Sequence, residues 1–148
     1  MDNDQAIGRT LDAIAAAWEK GDATAYAALF TPDVDYTAYD GTRMAGRQAV
    51  IDGHRALFAG IMRGSRMVFA QPHIRLLNND VAIVAVQGGI IMRWQKHRQS
   101  PSSKRISALT LVLVRSDTGW LVTAFQNTRY RPWDKTLLGR VLTKVMPA

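Results

Sequence analysis

A chain of 148 residues and 16.4 kDa has the length of one domain, enough to bury roughly 70% of the surface its unfolded form exposes. An apolar fraction of 47% and a charged fraction of 21% exclude disordered and fibrous classes, and the lack of any cysteine excludes disulfides, thiolate metal sites and cysteine nucleophiles. The net charge of +7 is unevenly spread: residues 1–40 carry eight acids against two bases, and residues 41–148 carry seventeen bases against four acids.

The longest nearly apolar run, residues 81–92, is too short to span a bilayer. The acidic start, Asp2 to Asp4, lacks the basic and then apolar pattern of a secretory signal, so the expected location is the cytoplasm. Ile7, Leu11, Ile14 and Trp18 recur at helical spacing in an alanine-rich stretch and predict a first helix stopped by Gly21. Asp22 then caps a short second helix over 23–30, with Tyr26, Leu29 and Phe30 on one face, ended by Thr31-Pro32. Alternation over 33–39 predicts a strand, and Asp40-Gly41 predicts a turn into a short return. A third helix is expected over 47–62, carrying Val50, Ile51, His54, Leu57, Phe58 and Ile61 at helical spacing. Four strand-like runs follow, over 66–77, 81–94, 105–115 and 120–130, as an antiparallel meander. This order predicts an α+β domain, helices covering one face of a strongly curved sheet, in a single unit over 1–148. The segment 132–148 is an amphipathic extension: Leu137, Leu138, Val141, Leu142, Val145 and Met146 lie opposite Lys135, Arg140 and Lys144. Such a helix docks on its own sheet or a second subunit, or else lies on a membrane surface or partner.

Phosphate loops, dinucleotide-binding glycines, nucleophile elbows and metal-binding histidine pairs are all missing from the sequence, so no cofactor and no metal is expected. The only acids within or between the four long strands, Asp80 and Asp117, fall in turns. His54 stands out, a histidine in an apolar helix stripe, and is either a hydrogen-bonded core residue or a general acid or base in a pocket. In the last strand Trp120, Val122, Ala124, Gln126 and Thr128 share one face, with Asn127 on the other beside Phe125. If the first face lies beneath the helices, Gln126 and Thr128 are polar groups in an apolar cavity; otherwise the amides stitch neighbouring loops. Tyr36 adds a hydroxyl to the same space.

These residues resemble a known family. Gly21-Asp22-Ala23 after a tryptophan-ended helix, Leu29-Phe30-Thr31-Pro32-Asp33, Gly46 to Val50, His54 with Leu57-Phe58, Asp80-Val81-Ala82, and Gly119-Trp120 leading to Phe125-Gln126-Asn127-Thr128-Arg129 are similar to the SgcJ/EcaC group of SnoaL-like proteins, in the nuclear transport factor 2-like superfamily. The resemblance implies a cone-shaped barrel, a curved mixed sheet around three N-terminal helices with a pocket between them, homodimeric through the outer sheet face. Set on the ketosteroid isomerase pattern, the polarising tyrosine falls at Ile14 and the catalytic aspartate at Ala38, which disfavours that reaction.

Three functions remain. The first is cofactor-independent acid/base chemistry (cyclisation, isomerisation or dehydration) on a hydrophobic, oxygen-bearing small molecule of polyketide type. In it His54 is the acid or base, Gln126 and Tyr36 polarise a carbonyl, and Trp18, Phe30, Phe58, Thr128 and Asn127 bind ligand. The second is that of a non-catalytic small-molecule-binding or accessory protein with the same pocket. The third, less favoured because no nucleic-acid motif accompanies it, is phosphate binding by the bases of 93–105 and the tail.

Overall fold

A computed structural model describes residues 2–145, and the side chains of 143–145 lie outside that description. The expected place of Met146 on the apolar face of the tail therefore falls outside the described residues. Helix α1 (Asn3–Lys20) is capped by Asp2, buries Ile7, Leu11, Ile14 and Trp18 as the spacing requires, and ends where Gly21 takes φ 68°. That left-handed conformation is costly for a side chain with a Cβ, so Gly21 sets the turn into α2 (Ala23–Ala27). Asp22 accepts from the Ala25 amide at 2.9 Å as its N-cap.

Strand β1 (Phe30–Thr37) begins three residues earlier than expected. Phe30 does not end a helix, because the Leu29 carbonyl accepts from Val122 at 3.0 Å and Phe30 pairs with Val122. Local helix preference yields here to a long-range ladder. Pro32, expected to stop the helix, is instead exposed in a stretch where the β1 register shifts, a place that tolerates its missing N–H. The short return is β2 (Arg43–Ala45), and α3 (Arg47–Ala59) follows. Helix α3 stops at Gly60, so Ile61 is exposed beyond its end and only Val50, His54 and Phe58 of its stripe are buried.

The meander is β3 (Arg66–Leu76), β4 (Val81–Ile91), β5 (Ile106–Ser116) and β6 (Gly119–Arg129), each antiparallel to the next. Strand β1 adds parallel to β6, which gives the six-stranded order β2-β1-β6-β5-β4-β3. The fold is thus the expected α+β arrangement, a curved mixed sheet with N-terminal helices on its inner face. Three register shifts, in β1, in β3 at Ala70/His73 and in β6 beside Val112/Leu113, bend the sheet. The last segment, α4 (Leu137–Val145), follows a 3-10 turn, Trp133–Lys135, and leaves Leu137, Leu138, Val141 and Leu142 exposed, so the expected docking of this face on its own sheet does not occur.

Candidate functional site in the barrel interior

The bulge in β6 decides what faces the helices. Val122 pairs with Leu113 and Ala124 with Val112, leaving Thr123 as the extra residue. Beyond it the alternation changes phase. Phe125 and Asn127 join Trp120 and Val122 on the inner face, opposite Leu111 and Leu109, whereas Gln126 and Thr128 are exposed on the outer face beside Thr110 and Ala108. The expectation that Gln126 and Thr128 enter the pocket is therefore corrected, and Asn127 takes the inward position. Gln126 cannot polarise a carbonyl inside the barrel from there.

His54 lies at the centre of the interior, 2% exposed. Around it stand Trp18 from α1, Tyr26 from α2, Tyr36 from β1 and Phe58 one turn further along α3, with ring centroids 4.6–5.8 Å from the imidazole. Phe30 packs on Tyr26 at 5.1 Å and on Tyr36 at 5.6 Å, and Phe125 stacks on Tyr36 at 4.3 Å. The Trp18 indole is held by Ser65, whose hydroxyl accepts its N–H at 2.9 Å and donates to the Met62 carbonyl at 2.7 Å. Six of the sequence-derived candidates (Trp18, Phe30, Tyr36, His54, Phe58 and Asn127) thus face one interior.

The polar groups of that cage form a chain. His54 Nδ1 lies 2.8 Å from the Val50 carbonyl, His54 Nε2 lies 3.3 Å from the Tyr36 hydroxyl, and the Tyr36 and Tyr26 hydroxyls are 3.0 Å apart. A carbonyl can only accept, so Nδ1 carries the proton. Burial pushes the His54 pKa below its ordinary value, partly opposed by the bond to Val50, so the ring is neutral and Nε2 accepts from Tyr36. Tyr36, its proton so used, accepts from Tyr26. The chain has one direction: Tyr26 to Tyr36 to His54 to Val50. Burial raises both phenols above their ordinary pKa, so both stay protonated.

Tyr26 is the member that sequence reasoning passed over. Its place on the buried face of α2 marked it as core, and the pairing of its hydroxyl with Tyr36 depends on how β1 lies against α2. Asn127 Oδ1 is buried without a hydrogen-bond partner, a second acceptor on the inner face. A surface cleft of about 470 Å³ between the start of α2 and α3 is lined by Gly21, Asp22, Ala23, Thr24, Arg55, Phe58 and Ala59. Phe58 belongs to both the cleft and the ring cage. Among the described residues no cluster of histidine, aspartate or glutamate has the makings of a metal site.

The fold is that of a nuclear transport factor 2-like, or cystatin-like, protein. The SnoaL-like domain pattern matches residues 7–125, and the chain belongs to that family. The crystal structure of a domain of unknown function with a cystatin-like fold from Nostoc punctiforme superposes with a TM-score of 0.78 at 24% identity, covering 97% of this chain and 84% of that one. Aln2 from a Streptomyces species gives a TM-score of 0.68 at 13% identity over 95% and 93% of the two chains. A protein from Catenulispora acidiphila, solved in complex with S-DNPA, gives 0.67 at 17% identity over 83% and 90%. At these identities the likeness shows the fold alone. A comparison with curated proteins found no match.

Proposed function

We propose that this chain binds a hydrophobic small molecule that carries a hydroxyl group, with the Tyr26 hydroxyl as its polar anchor and Asn127 Oδ1 as a second acceptor. The observation that carries this reading is the direction of the hydrogen-bond chain. Its proton donors are committed inward to His54 and Val50, so its outer end offers lone pairs alone. A ligand hydroxyl can donate there without breaking any existing bond, whereas a ligand carbonyl would find no free donor on this hydrogen-bond chain, the unpartnered Trp120 indole N–H lying outside it. Trp18, Phe30 and Phe58 form the apolar wall, and rotation of Phe58 opens the way in from the 470 Å³ cleft. The complex of the Catenulispora relative with S-DNPA supports the use of this fold as a small-molecule receptor. The Gln126-Asn127-Thr128 signature is what points to the SgcJ/EcaC group and, through it, to secondary metabolism.

The test compares two probes of nearly equal shape by calorimetry, 2-naphthol and 2-methylnaphthalene. The naphthol is expected to bind at least about 10-fold more tightly, the worth of one neutral hydrogen bond, and Tyr26→Phe should erase that preference. Equal affinity for the two probes, or none for either, refutes the proposal.

The same chain supports a catalytic reading because it includes an unprotonated imidazole nitrogen, His54 Nε2. A proton leaving the ligand hydroxyl would pass to Tyr26, a Tyr26 proton to Tyr36, and the Tyr36 proton to His54 Nε2. That sequence activates the ligand oxygen for cyclisation or isomerisation without a cofactor, and a dehydration would also need the proton held on His54 to return along the chain to the departing hydroxyl. Tyr36→Phe would then abolish turnover while leaving naphthol binding within a few-fold. The outer sheet face, where Ala85, Gln87, Ala108, Thr110 and Gln126 are exposed, is the surface we propose for a homodimer. Sedimentation of Thr110→Arg, expected to be monomeric where the parent is dimeric, tests it.

A further inference from the structure

We propose that the end of the barrel carrying α4 binds the surface of an anionic lipid bilayer. The charge distribution is the first ground. Residues 93–105 and 129–145 together hold ten bases and one acid, while the rest of the chain holds nine bases and eleven acids, so the whole positive excess belongs to these two segments. The structure brings them to one end. Ser107 pairs with Arg129, the Tyr130 amide donates to the Ile106 carbonyl at 3.0 Å, and the Arg129 guanidinium donates to the Lys104 carbonyl at 3.3 Å. The tail thus leaves the sheet beside the loop that carries the other bases.

Apolar exposure is the second ground, and it occurs at the same end. Trp94 is 56% exposed, Trp133 55% and Leu137 84%, with Leu138 and Val141 also exposed along one side of α4. Aromatic rings interspersed with lysine and arginine, next to an amphipathic helix with an unpartnered apolar face, are the composition of a segment that lies in a bilayer interface. Thr136 fixes the start of that helix: its hydroxyl accepts from the Gly139 amide at 3.0 Å and donates to the Trp133 carbonyl at 2.7 Å. Trp133 and the helix are thereby held together as one unit. No helix among the described residues is long and apolar enough to cross a membrane, so α4 would lie along the surface.

Charge complementarity selects anionic lipid over a neutral bilayer, and the exposed leucines select a bilayer over a nucleic acid, which offers phosphates but no hydrocarbon for them. Arg63, Arg93 and Lys96 line a neighbouring cleft of about 560 Å³ together with Trp94 and Glu19, room for a phosphate headgroup at the same surface.

The experiment is co-sedimentation of the full chain with vesicles of phosphatidylcholine alone and of phosphatidylcholine with about a quarter phosphatidylglycerol, at roughly 0.1 M salt. The expected result is binding at least about 10-fold tighter to the anionic vesicles. Two double variants, Leu138→Asp with Val141→Asp and Lys104→Glu with Arg105→Glu, should each lose about 10-fold or more. All four positions are exposed or partly exposed, and circular dichroism and naphthol binding confirm that the barrel is intact. The proposal is overturned by no preference for anionic vesicles, by anionic binding that the α4 variant leaves unchanged, or by a single-stranded oligonucleotide that binds as tightly as the vesicles and whose binding the α4 variant leaves unchanged. A change from dimer to monomer in the α4 variant without vesicle binding in the parent also overturns it, and assigns the helix to a second copy.

Discussion

Removing the Tyr36 hydroxyl tests the direction of the buried chain. In Tyr36→Phe two bonds disappear, the donation to His54 Nε2 and the acceptance from Tyr26, and both partners stay buried without a substitute. Losing a neutral bond so that its buried partner is orphaned costs about 1–3 kcal/mol, and two such losses place the variant about 2–6 kcal/mol below the parent. Tyr26→Phe leaves Tyr36 still donating to His54 and orphans no donor, so its cost is about 1 kcal/mol. The double variant orphans only His54 Nε2 and should be no less stable than Tyr36→Phe alone, a coupling of about 1 kcal/mol between the two sites. Urea unfolding followed by tryptophan fluorescence measures all three, and at this chain length each kcal/mol moves the melting temperature by about 2–4 °C. Equal costs for the two single variants, or strict additivity in the double, would refute the assigned direction and with it the argument for a hydroxyl-bearing ligand.

The burial of His54 carries a pH signature. Its folded pKa lies below its unfolded value of about 6.5, so its contribution is fully present above that pH. Stability should decline as pH falls from there towards the folded value, because the unfolded chain binds the proton first. His54→Leu should flatten this slope in urea titrations taken across about pH 4.5–7.5. Asn127→Leu removes an unpartnered buried oxygen and should be neutral or stabilising by about 1 kcal/mol, whereas Gln126→Ala on the outer face should stay within about 0.5 kcal/mol. Gln71 has φ 50° at the register shift in β3, so Gln71→Gly should raise stability by about 0.5–1 kcal/mol, read as an upward shift of the thermal midpoint.

Periodic features were legible in the sequence because periodicity is a local property. The stripe from Ile7 to Trp18, the Val50-His54-Phe58 ladder and the four-strand meander all follow from spacing, and His54 was found because a polar ring interrupts an apolar stripe. Three things were not legible, for one physical reason: each depends on a partner distant in the chain. Phe30 is a strand residue because β6 accepts it, and Tyr26 joins the buried hydrogen-bond chain because β1 brings Tyr36 within 3.0 Å of it. Gln126 and Asn127 exchanged faces because Thr123 is extruded as a bulge between β5 and β1. A strand read in isolation keeps a strict period of two, so one extruded residue reverses every assignment beyond it. The α4 apolar face was visible, but which surface covers it is a property of another object.

The separation of charge from chemistry has a consequence that can be measured. Burial acts on the interior groups in one sense: it raises Tyr26 and Tyr36 and lowers His54, so all three are neutral over a broad pH range. Recognition of the proposed ligand inside the barrel would then rest on hydrogen bonds and apolar contact, which salt screens little. The surface of 93–105 and 129–145 instead rests on exposed charges, whose attraction decays over about 10 Å at 0.1 M salt and about 3 Å at 1 M. Raising the salt from about 0.1 M to about 0.5 M should therefore release the protein from anionic vesicles while leaving naphthol affinity within about two-fold. If both affinities fall together, the interior is not the neutral site its hydrogen bonds describe, and the basic end takes part in ligand binding.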